Sequence, residues 1–342
     1  MEKDIRIIVT EPSEGYELLD SGDGEKLERF GSVLMARPDP QALWPKRLPE
    51  AAWKKAAAYF TRDSERAEWS FRGAVPPSWP IPFGGLTMQI KPTAFKHTGL
   101  FPEQSANWEW MRRLIESVAG DPSVASSRGP ARVAPLRSAP PRSRPALGGA
   151  EGSDADGAPE ILNLFGYTGG ASLACAQAGA KVVHIDSSRA AVTWARENAE
   201  LSGLADKPIR WIVEDARRFV EREIKRGRSY DGIIMDPPAF GHGADDEIWK
   251  IEDHFVPLVA DCMRLLKPAP LFFLVNGYSA GYSALAYRNV LQPLVARYGG
   301  EIEIGELAIR EASGPTIAGA PHGQKMPVRL LPAGISARWS RG

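Results

Sequence analysis

From residue 158 onward the chain switches regularly between two hydrophobic patterns. Short, nearly continuous apolar runs predict buried strands: "EILNLF" (160–165), "KVVHID" (181–186), "IRWIVED" (209–215), "YDGIIMD" (230–236) and "LFFLVNG" (271–277). Between them lie segments whose apolar positions recur at helical spacing. These are "GASLACAQAG" (170–179), "SRAAVTWARENAELSG" (188–203), "ARRFVEREIKRG" (216–227), "DEIWKIEDHFVPLVADCMRLLKP" (246–268) and "SALAYRNVLQPLVARYG" (283–299). Strand followed by helix, repeated, implies a mostly parallel sheet with helices on both faces. The tail breaks that rhythm. "EIEIGELAIRE" (301–311) and "RLLPAGISARWS" (329–340) are two strands with no helix between them, a final hairpin that adds an antiparallel strand to the sheet.

The first section, residues 1–120, reads instead as strands with one or two helices. "DIRIIVT" (4–10) and "GYELLD" (15–20) are strand-like, and the turn cluster "SGDGEK" closes a hairpin onto "LERFGSVLMAR" (27–37). "LPEAAWKKAAAYF" (48–60) predicts an amphipathic helix, "AEWSFRG" and "LTMQIKP" two more strands, and "SANWEWMRRLIESVA" (105–119) a helix with a serine cap. Between the two sections, residues 121–157 hold almost no large apolar side chains and are rich in Pro, Ser, Gly, Ala and Arg. Such a segment cannot bury enough surface to offset its ordering entropy, so a disordered linker is expected. Its Arg128, Arg132, Arg137, Arg142 and Arg144 fit either phosphate contacts or a merely solvated tether. The expected organisation is therefore an N-terminal domain (1–120), a linker (121–157) and an α/β domain (158–342).

Composition narrows the function classes. A formal net charge of +0 gives no whole-molecule basic field toward nucleic acid, though a local basic face would be averaged away. Cys175 and Cys262 both fall in helix-like segments, which argues against a disulfide framework and for a reducing compartment. The five histidines show no ligand spacing, so no metal is expected. No apolar run approaches the roughly 18–20 residues of a membrane span, and the N-terminus lacks the apolar core of a signal peptide. A cytoplasmic protein with no membrane association is expected.

Two stretches carry chemistry. "ILNLFGYTGGAS" runs from a strand through a glycine turn into a helix, and Gly166, Gly169 and Gly170 would let backbone approach a ligand. Twenty residues after Gly166, Asp186 ends the second strand, where its carboxylate suits the two hydroxyls of a ribose or, equally, the cap of the next helix. Asp215 ends the third strand and is followed by Ala216, an acid and a backbone N–H that suit an adenine. Acids at the C-terminal ends of successive parallel strands lie where open α/β sheets bind ligands. The turn reads G-Y-T-G-G rather than G-x-G-x-x-G, so the pyrophosphate fingerprint of dinucleotide-binding folds is absent. The second stretch is "GIIMDPPAFGHG" (232–243): a buried strand that ends on Asp236-Pro237-Pro238, with Phe240 just beyond. It is either a rigid turn or the mouth of an active site.

With Asn163-Leu164-Phe165-Gly166-Tyr167-Thr168-Gly169-Gly170 and Asp236-Pro237-Pro238-Ala239-Phe240, the chain resembles the class I S-adenosylmethionine-dependent methyltransferases. The likeness is to the large-subunit ribosomal-RNA methyltransferase family, with its N-L-F-x-Y-T-G-G turn and D-P-P-x-F strand end, and it covers most of residues 160–342. A second likeness is Thr98-Gly99-Leu100-Phe101 with Gln104, matching a segment that lies over the cofactor in that family; the plain alternative is a strand-to-helix junction.

The resemblance implies a Rossmann-like fold with a mostly parallel seven-stranded sheet and a C-terminal antiparallel hairpin, beside a small strand-rich α+β N-terminal domain. It implies S-adenosyl-L-methionine as cofactor, held by Phe165, Gly166, Tyr167, Thr168, Gly169, Asp186, Ser187, Asp215, Ala216 and Asp236, with Phe101 and Gln104 above it. It makes Asp236, Pro237, Pro238 and Phe240 the catalytic set. Asp236 and the Pro237 carbonyl would accept hydrogen bonds from an exocyclic amine, and Phe240 would stack on the base. Cytosine C5 members need a cysteine after the fifth strand; here that place reads Asn276-Gly277-Tyr278, which leaves a base nitrogen, guanine among the options. His242 is a proton relay or a solvated histidine, Tyr278 lines the pocket or ends a strand, and Lys250 meets a phosphate or solvent. The expected partner is ribosomal or other structured RNA. The competing readings are a small-molecule or protein methyltransferase and a catalytically silent RNA-binding or assembly factor.

Overall fold

The structure is a computed structural model, and it describes residues 5–62, 67–94, 96–119, 157–242, 248–278, 281–312 and 327–341. Nearly all of the expected linker, its arginines included, lies outside the described residues.

An eight-stranded sheet forms the centre. Five of its strands come from the strand–helix repeat: β9 (Glu160–Leu164), β10 (Lys181–Asp186), β11 (Ile209–Val213), β12 (Gly232–Met235) and β15 (Phe272–Gly277). The C-terminal hairpin supplies β16 (Glu301–Arg310) and β17 (Leu330–Ser340), and the first described strand is β1 (Arg6–Thr10). The order is β1-β16-β17-β15-β12-β9-β10-β11, parallel except for β17, which runs antiparallel to both neighbours. The seven strands expected from sequence are therefore joined by an eighth, because β1 pairs in parallel with β16 from Arg6↔Gly305 to Thr10↔Ile309. Gly305 is a condition for that pairing: a Cβ there would press on the Arg6 carbonyl and the Ile8 side chain.

Helices α3 (Gly170–Gln177), α4 (Arg189–Leu201), α5 (Ala216–Lys225), α6 (Ile251–Arg264) and α7 (Ala284–Tyr298) cover the sheet. Three start on side-chain caps, with Ser188, Asp215 and Ser283 accepting from N–H groups of the first turn. Among the described residues no helix is long and apolar enough to cross a membrane.

The N-terminal part builds a five-stranded sheet, β2 (Tyr16–Gly22), β3 (Glu25–Phe30), β4 (Val33–Pro38), β5 (Ala58–Arg62) and β6 (Ala67–Phe71), and a hairpin of β7 (Trp79–Phe83) and β8 (Leu86–Ile90). Helix α2 (Ser105–Ala119) buries Trp108, Met111 and Ile115, spaced for one face, and a single hydrophobic cluster joins these to Tyr16, Phe30 and Phe83 on one side and Leu173 and Ile234 on the other.

Three local expectations fail. "LPEAAWKKAAAYF" is helical only over α1 (Glu50–Trp53), after which Ala58 and Phe60 are buried with Tyr59 between them partly exposed, the period of a strand. Alanine favours helix in isolation, but β4 and β6 offer β5 two edges to bond, and that pairing wins. The long helix expected over 246–268 begins only at Ile251, because β14 (Ile248–Lys250) pairs with β13 (Phe240–His242). Finally, Ser105 is not a cap in the expected way. A 3-10 turn, Pro102–Gln104, leads into α2, and the Ser105 hydroxyl lies 3.1 Å from that of Thr10.

Candidate active site

At the C-terminal ends of β9, β10, β12 and β15 lies a cleft of about 630 Å³, roofed by residues of the N-terminal part. Its first wall is the turn after β9. Phe165 (φ 58°) and Tyr167 (φ 48°) both adopt left-handed backbone, unusual for aromatic side chains and typical of strain held at a functional site. The turn is held from all sides: Gly166 N–H donates to Ile185 O (2.9 Å), Tyr167 N–H to Asp186 Oδ2 (2.9 Å), Asn198 Nδ2 to Thr168 O (2.8 Å), and Thr168 Oγ1 to Gly99 O (2.6 Å). The glycines answer to the protein's own packing: a Cβ on Gly166 would overlap the His184 ring, one on Gly170 the Trp108 indole, and one on Gly169 would crowd Ala195. His184 itself is buried and neutral, lowered to about 3 by desolvation, with Nδ1 3.0 Å from Ser172 Oγ.

Asp186 lines the cleft beside Ser187. It does not cap helix α4, since Ser188 does; instead it ties two loops together through Tyr167 N–H and Ser188 N–H (2.8 Å). Burial raises its pKa above the usual carboxylate range, against those two hydrogen bonds. Asp215 sits differently. It is the cap of α5, accepting from Arg217 N–H (2.9 Å) and Arg218 N–H (3.1 Å), and neither it nor buried Ala216 lines the cleft.

Asp236, Pro237 and Pro238, on the strand end next to the Gly166 turn because Met235 pairs with Leu164, form a second wall with Asn276 and Tyr278. The Asp236 carboxyl makes no hydrogen bond among the described residues, and desolvation pushes it up to about 7. The Pro238 carbonyl is already taken by Trp249 Nε1 (2.6 Å), whose indole also packs 5.0 Å from the Phe165 ring, so Trp249 joins the two walls. Phe240 stands at the rim, 54% exposed, outside the cleft lining. Lys250, opposite it in the hairpin, is exposed and also outside the lining, and the His242 side chain lies outside the described atoms. Tyr278 does line the cleft, its ring 5.6 Å from Phe101 and its buried hydroxyl without a partner among the described residues.

The roof contains Phe101 and Gln104, which the sequence points to, and Glu103, Lys26 and Arg37, which it does not. Phe101 sits among His97, Tyr167 and Tyr278, with ring centroids 5.4, 5.6 and 5.6 Å away. Gln104 is buried, and its Oε1 accepts from Asn107 Nδ2 (2.7 Å) and Asn276 Nδ2 (3.1 Å). That fixes the amide and leaves Nε2 a buried donor without a partner among the described residues, on a side chain that belongs to the cleft lining. Glu103, 4% exposed, is a second carboxyl in the lining, pushed up to about 8 mainly by desolvation. Lys26 and Arg37 reach in from β3 and β4. The only sequence signal for Glu103 is an acid inside an otherwise apolar "GLFPEQ".

Gly99 holds roof to turn. Its φ is +88° and a Cβ would overlap the Trp194 indole. Gly99→Ala is expected to cost about 2–4 kcal/mol from overpacking and left-handed strain together, read as a lowered midpoint in thermal unfolding.

A solved S-adenosylmethionine-dependent methyltransferase from Agrobacterium tumefaciens is 34% identical and superposes over 100% of this chain and 98% of its own, with a TM-score of 0.78. The chain belongs to the S-adenosylmethionine-dependent methyltransferases. The family model described as S-adenosylmethionine-dependent methyltransferase matches residues 147–268. Among curated relatives, "Ribosomal RNA large subunit methyltransferase K/L" of Shewanella loihica is 34% identical over 111 residues, 32% of this chain and 15% of that protein. "Ribosomal RNA large subunit methyltransferase I" of Aeromonas salmonicida is 39% identical over 84 residues, 24% of this chain and 21% of that protein. The chain thus spans only about 15–21% of the length of these curated relatives.

For a methyltransferase the cleft offers the right kinds of group. A buried amide donor without a partner among the described residues (Gln104 Nε2), a cleft-lining carboxylate (Asp186) and aromatic rings (Phe101, Tyr167) are groups that suit a cofactor with an amino-acid end, a ribose and a flat base.

Proposed function

We propose that this methyltransferase modifies a base nitrogen of RNA, ribosomal or otherwise structured, guanine being the first base to test. The observation that carries the reading is Asp236. A carboxyl that makes no hydrogen bond among the described residues and is pushed up to about 7 stands on a proline-stiffened strand end, in the same cleft as the Gly166 turn. S-adenosylmethionine, when bound, supplies a methyl group on positively charged sulfur. Asp236 and the Pro237 carbonyl accept hydrogen bonds from the acceptor amine and aim its lone pair, and Asp236 is poised near neutrality to take the proton that the nitrogen sheds. Phe240, exposed at the rim, offers a ring face for a base. Phe165 to Gly169, Asp186 and Ser187 form the cofactor wall, with Phe101 and Gln104 above. For Asp215 and Ala216 to meet the adenine, the Asp215 carboxylate has to serve the α5 cap and a base amino group together.

Nitrogen rather than carbon is supported by the thiols. Cys175 and Cys262 are both buried in helices away from the cleft, and burial raises both, Cys175 to about 12. RNA is supported by the names of the curated relatives, and such an acceptor places the work in the cytoplasm. A small uncharged acceptor is the second reading, because two of the roof's cations are already paired: Lys26 with Asp39 (3.2 Å) and Arg37 with Glu28 (2.6 Å).

The test incubates purified protein with methyl-labelled S-adenosylmethionine and unmodified ribosomal RNA, followed by nucleoside analysis. Label on a base nitrogen is the expected result. Cofactor binding with no label in RNA moves the small acceptor to first place.

A further inference from the structure

Three carboxyl groups line the cleft with no ion pair among the described residues, and of these Asp186 is held by two backbone N–H groups, which leaves Glu103 and Asp236. Glu103, on the 3-10 turn before α2, makes no hydrogen bond or ion pair to another side chain among the described residues; its carboxyl meets only its own backbone N–H. Asp236 has no hydrogen bond at all among them. On Glu103 burial acts most strongly, Lys26 then favours its ionised form, and an ionised Asp236 disfavours it by less. Asp186, its pKa also raised by burial, and Lys96 line the same cleft; a comparison between proteins that differ only at residue 103 leaves their contributions unchanged. Lys26 is shared between Asp39 and Glu28, and Arg37 is tied to Glu28. Tyr16 donates to Glu28 (2.8 Å), and burial holds Tyr287 well above the ordinary tyrosine range, at about 12. His97 is lowered to about 4 and so carries no charge at neutral pH. Gln104, next to Glu103 and also in the lining, keeps a buried Nε2 without a partner among the described residues. Unpaired buried carboxyls are retained in proteins where something else supplies the missing charge.

We propose that Glu103, with Asp236, is a charge-sensing pair that releases a proton to solvent when the positively charged sulfonium cofactor binds and keeps it when the neutral thioether product is bound. This rests on the cofactor reading of the cleft and not on RNA as acceptor. A positive charge in a low-dielectric cleft favours the ionised carboxyl, and the ionised carboxyl in return favours the positive ligand. Transfer of the methyl group removes that charge from sulfur, so the pair recaptures a proton and loses its hold on the product. Product release is built into the same two residues. At a pH where both carboxyls are already ionised, no proton is released and the preference for the sulfonium is at its largest.

Because the neutral form is the one that burial favours, Glu103→Gln preserves the shape and charge state of the empty cleft and is expected to fold. The experiment is titration calorimetry of the whole chain in two buffers of different ionisation heat at pH 7.5. The ligands are S-adenosylmethionine and S-adenosylhomocysteine, and the proteins are native, Glu103→Gln and Glu103→Asp. The cofactor's own amino group titrates against all three proteins, so the comparison between them isolates residue 103. Native protein is expected to release roughly half a proton more with the sulfonium than Glu103→Gln does, with no such difference for the thioether, and Glu103→Asp is expected to restore the release. Between pH 6.5 and 8.5 the native preference for the sulfonium should rise on the order of tenfold, and that rise should shrink in Glu103→Gln. Equal proton release by native and Glu103→Gln overturns the proposal, as does a difference of the same size with both ligands. If the native protein binds neither ligand, the cofactor reading of the cleft fails and this proposal with it. Failure of label to enter RNA leaves the calorimetric result standing.

Discussion

Asp236→Ala is expected to lower methyl transfer by about 10³-fold, far more than it lowers S-adenosylmethionine affinity, which should fall by no more than about tenfold. The asymmetry follows from the geometry. On the proposed reading the cofactor meets the Gly166 turn and Asp186, whose hydrogen bonds tie the neighbouring loops together, whereas the Asp236 carboxyl, on the adjacent strand end, makes no hydrogen bond among the described residues. Removing it takes away the acceptor that orients the nucleophile and nothing that supports the turn. In native protein the rate should climb as pH rises through about 7, because the ionised form is the one that accepts the proton, and the Ala variant should lose that rise. Stability runs the other way. The folded chain holds a proton on Asp236 up to about 7 that the unfolded chain releases near 3.8, so ionising it opposes folding and stability falls as pH rises through that window. The variant should therefore unfold no earlier than native protein at pH 8. Single-turnover kinetics and cofactor titration separate the two effects, and a parallel loss of turnover and cofactor affinity would move Asp236 to the cofactor wall.

The sheet was legible because strands buried on both faces read as apolar runs and the helices between them as amphipathic segments, so β9 to β12, β15 and the closing hairpin stand where the pattern puts them. What was not legible depends on partners distant in sequence. β1 joins the large sheet by pairing with a strand about 300 residues later, and no local period announces that. The residues 56–60 look helical by composition and become a strand because β4 and β6 flank them. The site divides in the same way. The Gly166 turn, Asp186 and the Asp236-Pro237-Pro238 end are contiguous motifs and meet in one cleft. Asp215 looked equivalent to Asp186 from its strand-end position, but its carboxylate serves the cap of α5, a distinction only the hydrogen bonds reveal. Glu103, Trp249 and the Gln104–Asn107–Asn276 network acquire meaning only when three separate segments are brought together.

Glu28→Ala is expected to be the most destabilising single change in the N-terminal part, about 3–5 kcal/mol. Glu28 is fully buried and accepts from Tyr16 Oη (2.8 Å), Arg37 Nε (2.7 Å) and Arg37 Nη2 (2.9 Å). Truncation strands the Arg37 guanidinium, itself buried, and leaves a tyrosine hydroxyl in the core without an acceptor. The damage reaches the cleft, because Arg37 Nη1 also holds the Lys96 carbonyl (3.0 Å) and so anchors the segment that leads to Gly99 and Phe101. The cost belongs to the uncompensated charge rather than to the pair as such. A double variant, Glu28→Met with Arg37→Met, should thus recover most of the stability while still loosening the cleft roof. Urea unfolding of the three proteins, with cofactor affinity measured alongside, tests both halves. A Glu28→Ala cost below about 1 kcal/mol would make this an ordinary exposed ion pair. A double variant as unstable as the single one would place the loss in packing instead of charge.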